Sequence, residues 1–467
     1  MNHLEHASSI LIYLCTYLGI MLILSIVFRS KAITDHMLAG RQMTTIQTAM
    51  SVASADTSSW VIISLPAAVY TYGMSQSLIP IGLIIGSYIS WKYVAAKLRQ
   101  RTIETDSMTI PEYLSKCCVN GKNSSIIKTL SSIIILIFLV IYIASGLKSG
   151  AILVQCFTGI KYHNALKIFT IFIILYSSIG GMKAMGKLDI IQVSLIMLTL
   201  ISIPLYTRRS TNIINEIHQW IYSKNDYSYI SIISSLCWGL GYLGEPHLLL
   251  KFMASKSSEN IEKARKFCLS WMIIAFSCAV TIGCIGKTMW TVEDPEQLFF
   301  HAVFNSFGTH MIGIIFSGVI AAILSTICAQ TLACSSILMS KISYYIKLNS
   351  FGLSFIPIFI TSGLSFIVSF NPENKIMDLV AYSWAGLGSS FGAVIVYSIY
   401  SKRCYFYEIF LGIVMGFFGV ILCGFLKWSQ IVDQDLYEMI PGFVLSIIGI
   451  LFGRFIHKNS NKSLSCS

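Results

Sequence analysis

Charge is what this chain has least of. Over 467 residues only 12% are Asp, Glu, Lys or Arg, against 55% hydrophobic, and mean hydropathy is +0.71. A water-soluble fold of this length needs more charge to cover its surface, so a soluble domain is excluded. Repeated apolar runs of spanning length, each needing roughly 20 residues, imply an all-α polytopic membrane protein. No paired cysteine framework is present: thirteen cysteines are scattered, mostly inside spans, and serve as small apolar fillers. Cys117-Cys118 lacks a partner pair at zinc-site spacing. The first nine residues lack a basic n-region, the apolar run after them is too long for a signal h-region, and no small-residue cleavage site follows, so this run is expected to stay as a helix. Nucleotide loops, zinc motifs and catalytic triads are missing too, which argues against an enzyme. The net charge of +12 does not point to nucleic acid, because the basic residues sit in short loops between spans.

Against this apolar background, the run from Ala49 to Trp60 is small, polar and acidic inside a stretch otherwise long enough to span, about Ile46 to Tyr72. An aspartate at mid-membrane costs about 2.5–3.5 kcal/mol on insertion scales. Ser and Thr beside it offer the backbone alternatives to helical bonds. An intramembrane acid such as Asp56 is a functional-site candidate facing a bundle interior. The bland alternative is an aspartate that merely bonds a neighbouring helix.

Loop charge and run length predict about thirteen spans, with the N-terminus outside and the C-terminus inside. The first covers about 10–28. Spans two to six occupy 46–206, spans seven to eleven 230–400, and two more lie within 409–455. The fourth span is expected at about 126–147 with Lys148 at its end. The fifth is expected to turn at Gly180-Gly181 into a loop holding Lys187 and Asp189. A polar external loop is expected from Arg208 to Tyr227, and a charged internal stretch from Lys251 to Lys266.

The seventh span carries a second interruption, Trp238-Gly239-Leu240-Gly241-Tyr242-Leu243-Gly244-Glu245-Pro246-His247. Three glycines and a proline weaken a helix at mid-membrane, and the flanking aromatics can enclose a small ligand. The Gly-x-Gly-x-x-Gly match is no dinucleotide fingerprint, since that needs a preceding strand. Close helix packing is the bland reading of these glycines. Spans two and seven are five apart, so they run in opposite directions. Interrupted helices at matching places of inverted halves point to a secondary transporter's midplane site. In the ninth span, about 311–339, the adjacent hydroxyls of Ser325 and Thr326 can give oxygens to a hard monovalent cation, with unwound carbonyls near Ser54 and Thr57 completing the shell. Otherwise such hydroxyls simply bond to the backbone one turn back.

At these residues the chain resembles the sodium/solute symporter family, and within it the proline carriers. The resemblance runs through Ala39-Gly40-Arg41, Ser54 to Trp60, Ser64 to Ala68, Ile141 to Gly146, Trp238 to Tyr242, Gly244 to His247, Leu324-Ser325-Thr326, Tyr382 to Gly386 and Tyr437 to Phe443. It implies a leucine-transporter-like inverted 5+5 repeat with flanking helices. It implies co-transported sodium (Na+) held near Ser54, Asp56, Thr57, Ala322, Ser325 and Thr326, with Asp189 linked to coupling. It implies an L-proline site lined by Ser58, Ser59, Tyr142, Trp238, Tyr242 and Pro246. The partners expected are a small solute, sodium ion and the lipid bilayer of a bacterial inner membrane. Four positions depart from the proline carriers: Thr57 for Met, Ser59 for Gly, Glu245 for Gln, and Lys148 for an apolar residue. They leave the fold alone but keep open a symporter for another small amino acid or carboxylate. A non-transporting solute sensor is the more distant rival.

Overall fold

The computed structural model describes residues 3–30, 32–118, 124–207, 228–342 and 350–465. The expected loop from Arg208 to Tyr227 lies outside them. Nine described helices are long and apolar enough to cross a membrane, and the pair Thr45–Asp56 and Trp60–Tyr72, bent by 57°, makes a tenth. We number the main helices α1 (His3–Val27), α2 (Thr45–Asp56), α3 (Leu65–Tyr72), α4 (Leu78–Ile89), α5 (Ile110–Lys116), α6 (Ser124–Thr158) and α7 (Tyr162–Thr207). There follow α8 (Tyr229–Cys237), α9 (Pro246–Met253), α10 (Ser258–Met289), α11 (Leu298–Ser306), α12 (Thr309–Ile342), α13 (Ser350–Val368), α14 (Ile376–Tyr400), α15 (Phe406–Trp428) and α16 (Met439–Ser465).

α7 holds two spans. Its 46 residues are helical except at Gly181, with φ 65° and ψ −178°, a conformation that L side chains rarely adopt. Contacts with α12 show that the chain doubles back there. Ser177 meets Cys328, and Thr199 donates to the Ile315 carbonyl. Those partners are roughly 20 Å apart along α12, whereas a straight α7 would separate Ser177 from Thr199 by roughly 33 Å. A reversal near Gly181 matches the shorter distance. With the shorter apolar α13 and the interrupted span α8–α9, the expected thirteen spans are accounted for.

The loop expected to hold Asp189 is instead helical, and Asp189 is fully buried. The turn needs only one glycine, so helix resumes at once. Lys251, expected in a charged internal stretch, is likewise buried within α9. The fourth span overshoots its expected end by more than two turns. Lys148 lies inside α6, its ammonium donating to the carbonyls of Pro372 and Asn374 between α13 and α14. A long stem lets a lysine bury its carbons and still bond at its tip, so one charge does not stop a helix here.

The end of the bundle bearing most basic loops is tightly laced. Arg41 donates to the carbonyls of Met253, Thr102 and Ser107 at 3.0, 3.2 and 2.7 Å. Arg99 donates to the Ser255 carbonyl at 2.6 Å. Met43 exchanges backbone bonds with Ala254 and Lys256. The entry to α2 is thus tied to the exit of α9. Elsewhere packing depends on small residues. A Cβ on Gly86 would lie 2.0 Å from the Gly239 carbonyl oxygen, so α4 and the broken seventh span touch backbone to backbone.

Candidate functional site

Both interruptions are real breaks, and they meet. α2 ends at Asp56. Thr57, its C-cap, has φ −88° and ψ 81°. The chain restarts as a π-turn at Trp60–Ser64, a local widening found often at functional sites. Pro66 sits in the first turn of α3, where its missing N–H costs nothing. On the other side, α8 passes into 3₁₀ turns over Trp238–Leu243, extends at Glu245 and restarts as α9 with Pro246 in its first turn. Tight 3₁₀ turns suit the glycine-spaced sequence, and they place successive aromatics around the axis. The rings of Trp60 and Trp238 lie 6.1 Å apart, joining the two breaks.

The cation candidates converge. Ser325 and Thr326 hydroxyls both reach the Ser54 carbonyl, at 3.0 and 3.3 Å, and both reach the Ala322 carbonyl, at 3.1 and 3.0 Å. Two carbonyl and two hydroxyl oxygens, all buried, thus share one point where α2 begins to unwind. That is an all-oxygen donor set of the kind hard cations take. The bland back-bonding reading is also satisfied, since the Ala322 contact is an intrahelical bond of that kind; the bonds to Ser54 are what it leaves unexplained. Thr57 lies next along the chain, its buried Oγ1 without a hydrogen-bond partner among the described residues.

Asp56 points elsewhere. Its carboxylate faces the Tyr242 hydroxyl and lies within electrostatic reach of Glu245 and Tyr142. Ser58 is buried and faces Tyr142. Ser59 turns away from the chamber and donates to Ser149 of α6 at 2.7 Å. Tyr142 stands edge-on to His247 at 5.7 Å and to Trp384 at 6.4 Å. Tyr242 stands edge-on to Trp384 at 5.3 Å. These residues form an aromatic chamber with polar tips turned inward. Several of those tips meet no hydrogen-bond partner among the described residues: Asp56 Oδ2, Tyr142 Oη, Tyr242 Oη, both Glu245 oxygens and both His247 nitrogens. Buried polar groups are normally bonded. A concentration of unpaired ones between two broken helices marks a place for a polar guest.

Three residues outside the sequence-predicted set complete the walls. Trp384 of α14 donates its indole N–H to the Trp238 carbonyl at 2.8 Å, satisfying a carbonyl freed by the break. Tyr437, just before α16, stacks on Trp238 at 5.0 Å and 16°. His247 lies 3.3 Å from Glu245. All three fall within the runs that carry the family resemblance, but nothing local in those runs shows that they point at the same chamber. Beyond the Trp238–Tyr437 stack lies a cavity of about 440 Å³, bordered by Asp378, Lys427, Asp435 and Glu438. Asp189 sits apart from the chamber, on the far side of Ser54. It accepts from Ser51 at 2.5 Å and from the Lys251 ammonium at 3.4 Å.

Comparison with known proteins now decides the family. The model of the Sodium:solute symporter family matches residues 36–416. The chain belongs to that family. It is 32% identical to the sodium/proline symporter of Escherichia coli (strain K12), over 95% of this chain and 92% of that protein. It is 33% identical to the high-affinity proline transporter PutP of Bacillus subtilis (strain 168), over 91% and 93%. Among solved structures, a Na+-coupled sialic acid symporter in a substrate-bound outward-open state superposes with a TM-score of 0.76 at 15% identity, covering 96% of this chain and 98% of that one. MhsT in complex with L-phenylalanine superposes at 0.58 and 15% identity, over 89% and 98%. The fold of this family member is therefore that of the leucine-transporter-like sodium symporters.

Proposed function

We propose that this symporter takes up L-proline with sodium by alternating access. One observation carries the reading: an all-oxygen cluster on Ser54, Ala322, Ser325 and Thr326 adjoins an aromatic chamber between two broken helices that meet at Trp60 and Trp238. Sodium binds that cluster, with Thr57 adding an oxygen at the unwound end of α2, and Asp56, turned toward Tyr242, adds its negative charge from the chamber side. The amino acid binds beside it. Its carboxylate meets backbone N–H groups freed by the breaks, and Tyr142, Trp238 and Tyr242 pack the pyrrolidine ring, with Ser58 and Pro246 completing the wall; Ser59, expected there, is engaged with Ser149 instead. Residues 46–206 and 230–400 act as the two inverted repeats, and the N-terminus faces outside, as the basic loops require. The bilayer is the inner membrane of a bacterium, in keeping with the bacterial sources of both relatives. One sodium entering down about 100 mV supplies roughly 2.3 kcal/mol, nearly fifty-fold accumulation before any sodium gradient is counted.

Labelled proline uptake into proteoliposomes tests this. An imposed inward sodium gradient is expected to drive accumulation, and Thr326→Ala to raise the sodium concentration at half-maximal uptake about tenfold, the worth of one lost oxygen contact of about 1.4 kcal/mol. Asp56→Ala is expected to abolish sodium stimulation. Proline uptake indifferent to sodium in the wild-type protein sinks the proposal.

A further inference from the structure

Resting on this reading of the chamber, we infer that Glu245 holds the ammonium group of the transported solute. Glu245 is 0% exposed, and neither carboxylate oxygen meets a hydrogen-bond partner among the described residues. The like charge of Asp56 acts on it electrostatically. A carboxylate out of water is stable only when it is paired or protonated. The candidate partner among the described residues is His247. His247 lies 3.3 Å away, yet neither of its ring nitrogens makes a hydrogen bond. Lys251, the buried cation of the same helix, is committed to Asp189. Sodium has the oxygen cluster around Ser54, two residues before Asp56. The ammonium of the solute is the group that can take the place of the neutralising proton and complete Glu245.

The position supports this. Glu245 occupies the extended link between the 3₁₀ turns and α9, with φ −75° and ψ 105°. That link brings a carboxylate within electrostatic reach of Tyr142, and the hydroxyls of Tyr142 and Tyr242 also meet no hydrogen-bond partner among the described residues. A secondary ammonium carries two N–H donors, enough for Glu245 and one neighbouring oxygen. The aromatic faces of Tyr142, Tyr242 and Trp384 add attraction for a cation enclosed among them. A solute with the same ring and carboxylate but no ammonium would leave Glu245 as unsatisfied as before.

The test compares L-proline with tetrahydro-2-furoic acid, in which a ring oxygen replaces the ammonium, as competitors for labelled proline bound to the purified protein in sodium. Wild-type protein is expected to prefer proline. Glu245→Gln is expected to weaken proline binding about tenfold to hundredfold, the range for one hydrogen bond to a charged group, and to leave tetrahydro-2-furoic acid unchanged. Glu245→Asp, which keeps the charge, is expected to retain the preference and covers a Gln variant that fails to accumulate. A preference that survives Glu245→Gln intact, or a wild-type protein that binds both acids equally, overturns the inference and leaves proline uptake standing. Wild-type protein that binds no proline removes the uptake reading, and this inference with it.

Discussion

Lys251→Met is expected to destabilise the folded protein severely, and Asp189→Asn in the same chain to restore most of the loss. Both side chains are 1% exposed and 3.4 Å apart. At an effective dielectric of about 20 their attraction is about 5 kcal/mol, largely offset by the cost of taking both charges out of water. The net worth of the intact pair is therefore small, but removing one partner strands the other. Truncations of that kind cost about 3–5 kcal/mol. Asp189 would keep only the short bond from Ser51, too little for a full charge. In the double variant the amide carbonyl that replaces the carboxylate still accepts from Ser51, and no ion is left. Thermal unfolding in detergent, followed by fluorescence, measures the wild type, both single variants and the double. The expected order is wild type, then the double variant close behind, then Lys251→Met far below. A double variant as unstable as the sum of its singles would mean that the two charges do not depend on each other, and the buried pair would not be what holds α7 against α9.

Two further outcomes are expected. Gly86→Ala and Gly241→Ala should both abolish uptake or accumulation, because the added carbon would lie 2.0 Å from the Gly239 carbonyl and from the Trp384 indole nitrogen respectively; Gly363→Ala, with nothing described within 4 Å, should be neutral. Equal behaviour of all three in expression and uptake assays would refute the close-packing argument. His36, in the short helix Ile33–Leu38 outside the spans, is held neutral by burial, its pKa lowered to about 4. An unfolded histidine takes up its proton near pH 6.5, so stability is complete above that and falls as pH drops toward 4, by up to about 3 kcal/mol. Unfolding temperatures measured from pH 7 to pH 4.5 should fall less steeply in His36→Gln.

The breaks were legible because their chemistry is local. Ser, Thr and Asp in one apolar run, and three glycines with a proline in another, each lower helix stability where they stand. The hydroxyl pair at Ser325 and Thr326 was legible for the same reason, since adjacent oxygens on one helix need no tertiary knowledge. Asp189 and Lys251 were misread because charge suggests a loop, and only tertiary contact reveals that each neutralises the other. Likewise Trp384 and Tyr437 resemble any membrane aromatic until α14 and α16 are folded onto Trp238. Glu245 stood out as a departure, but what its charge lacks emerges only once its surroundings are known.

The lacing of the basic end sets the order of events in a transport cycle. Opening that face means detaching Arg41 and Arg99 from at least four carbonyls and unzipping Met43 from Ala254 and Lys256. The opposite face is closed over the chamber by the Trp238–Tyr437 ring stack, with a cavity bordered by charged side chains already beyond it. An unloaded protein therefore yields first on the weaker side, and only a fully occupied centre can offset the rupture on the stronger one, which makes the arginine lattice a guard against leaking ions without cargo.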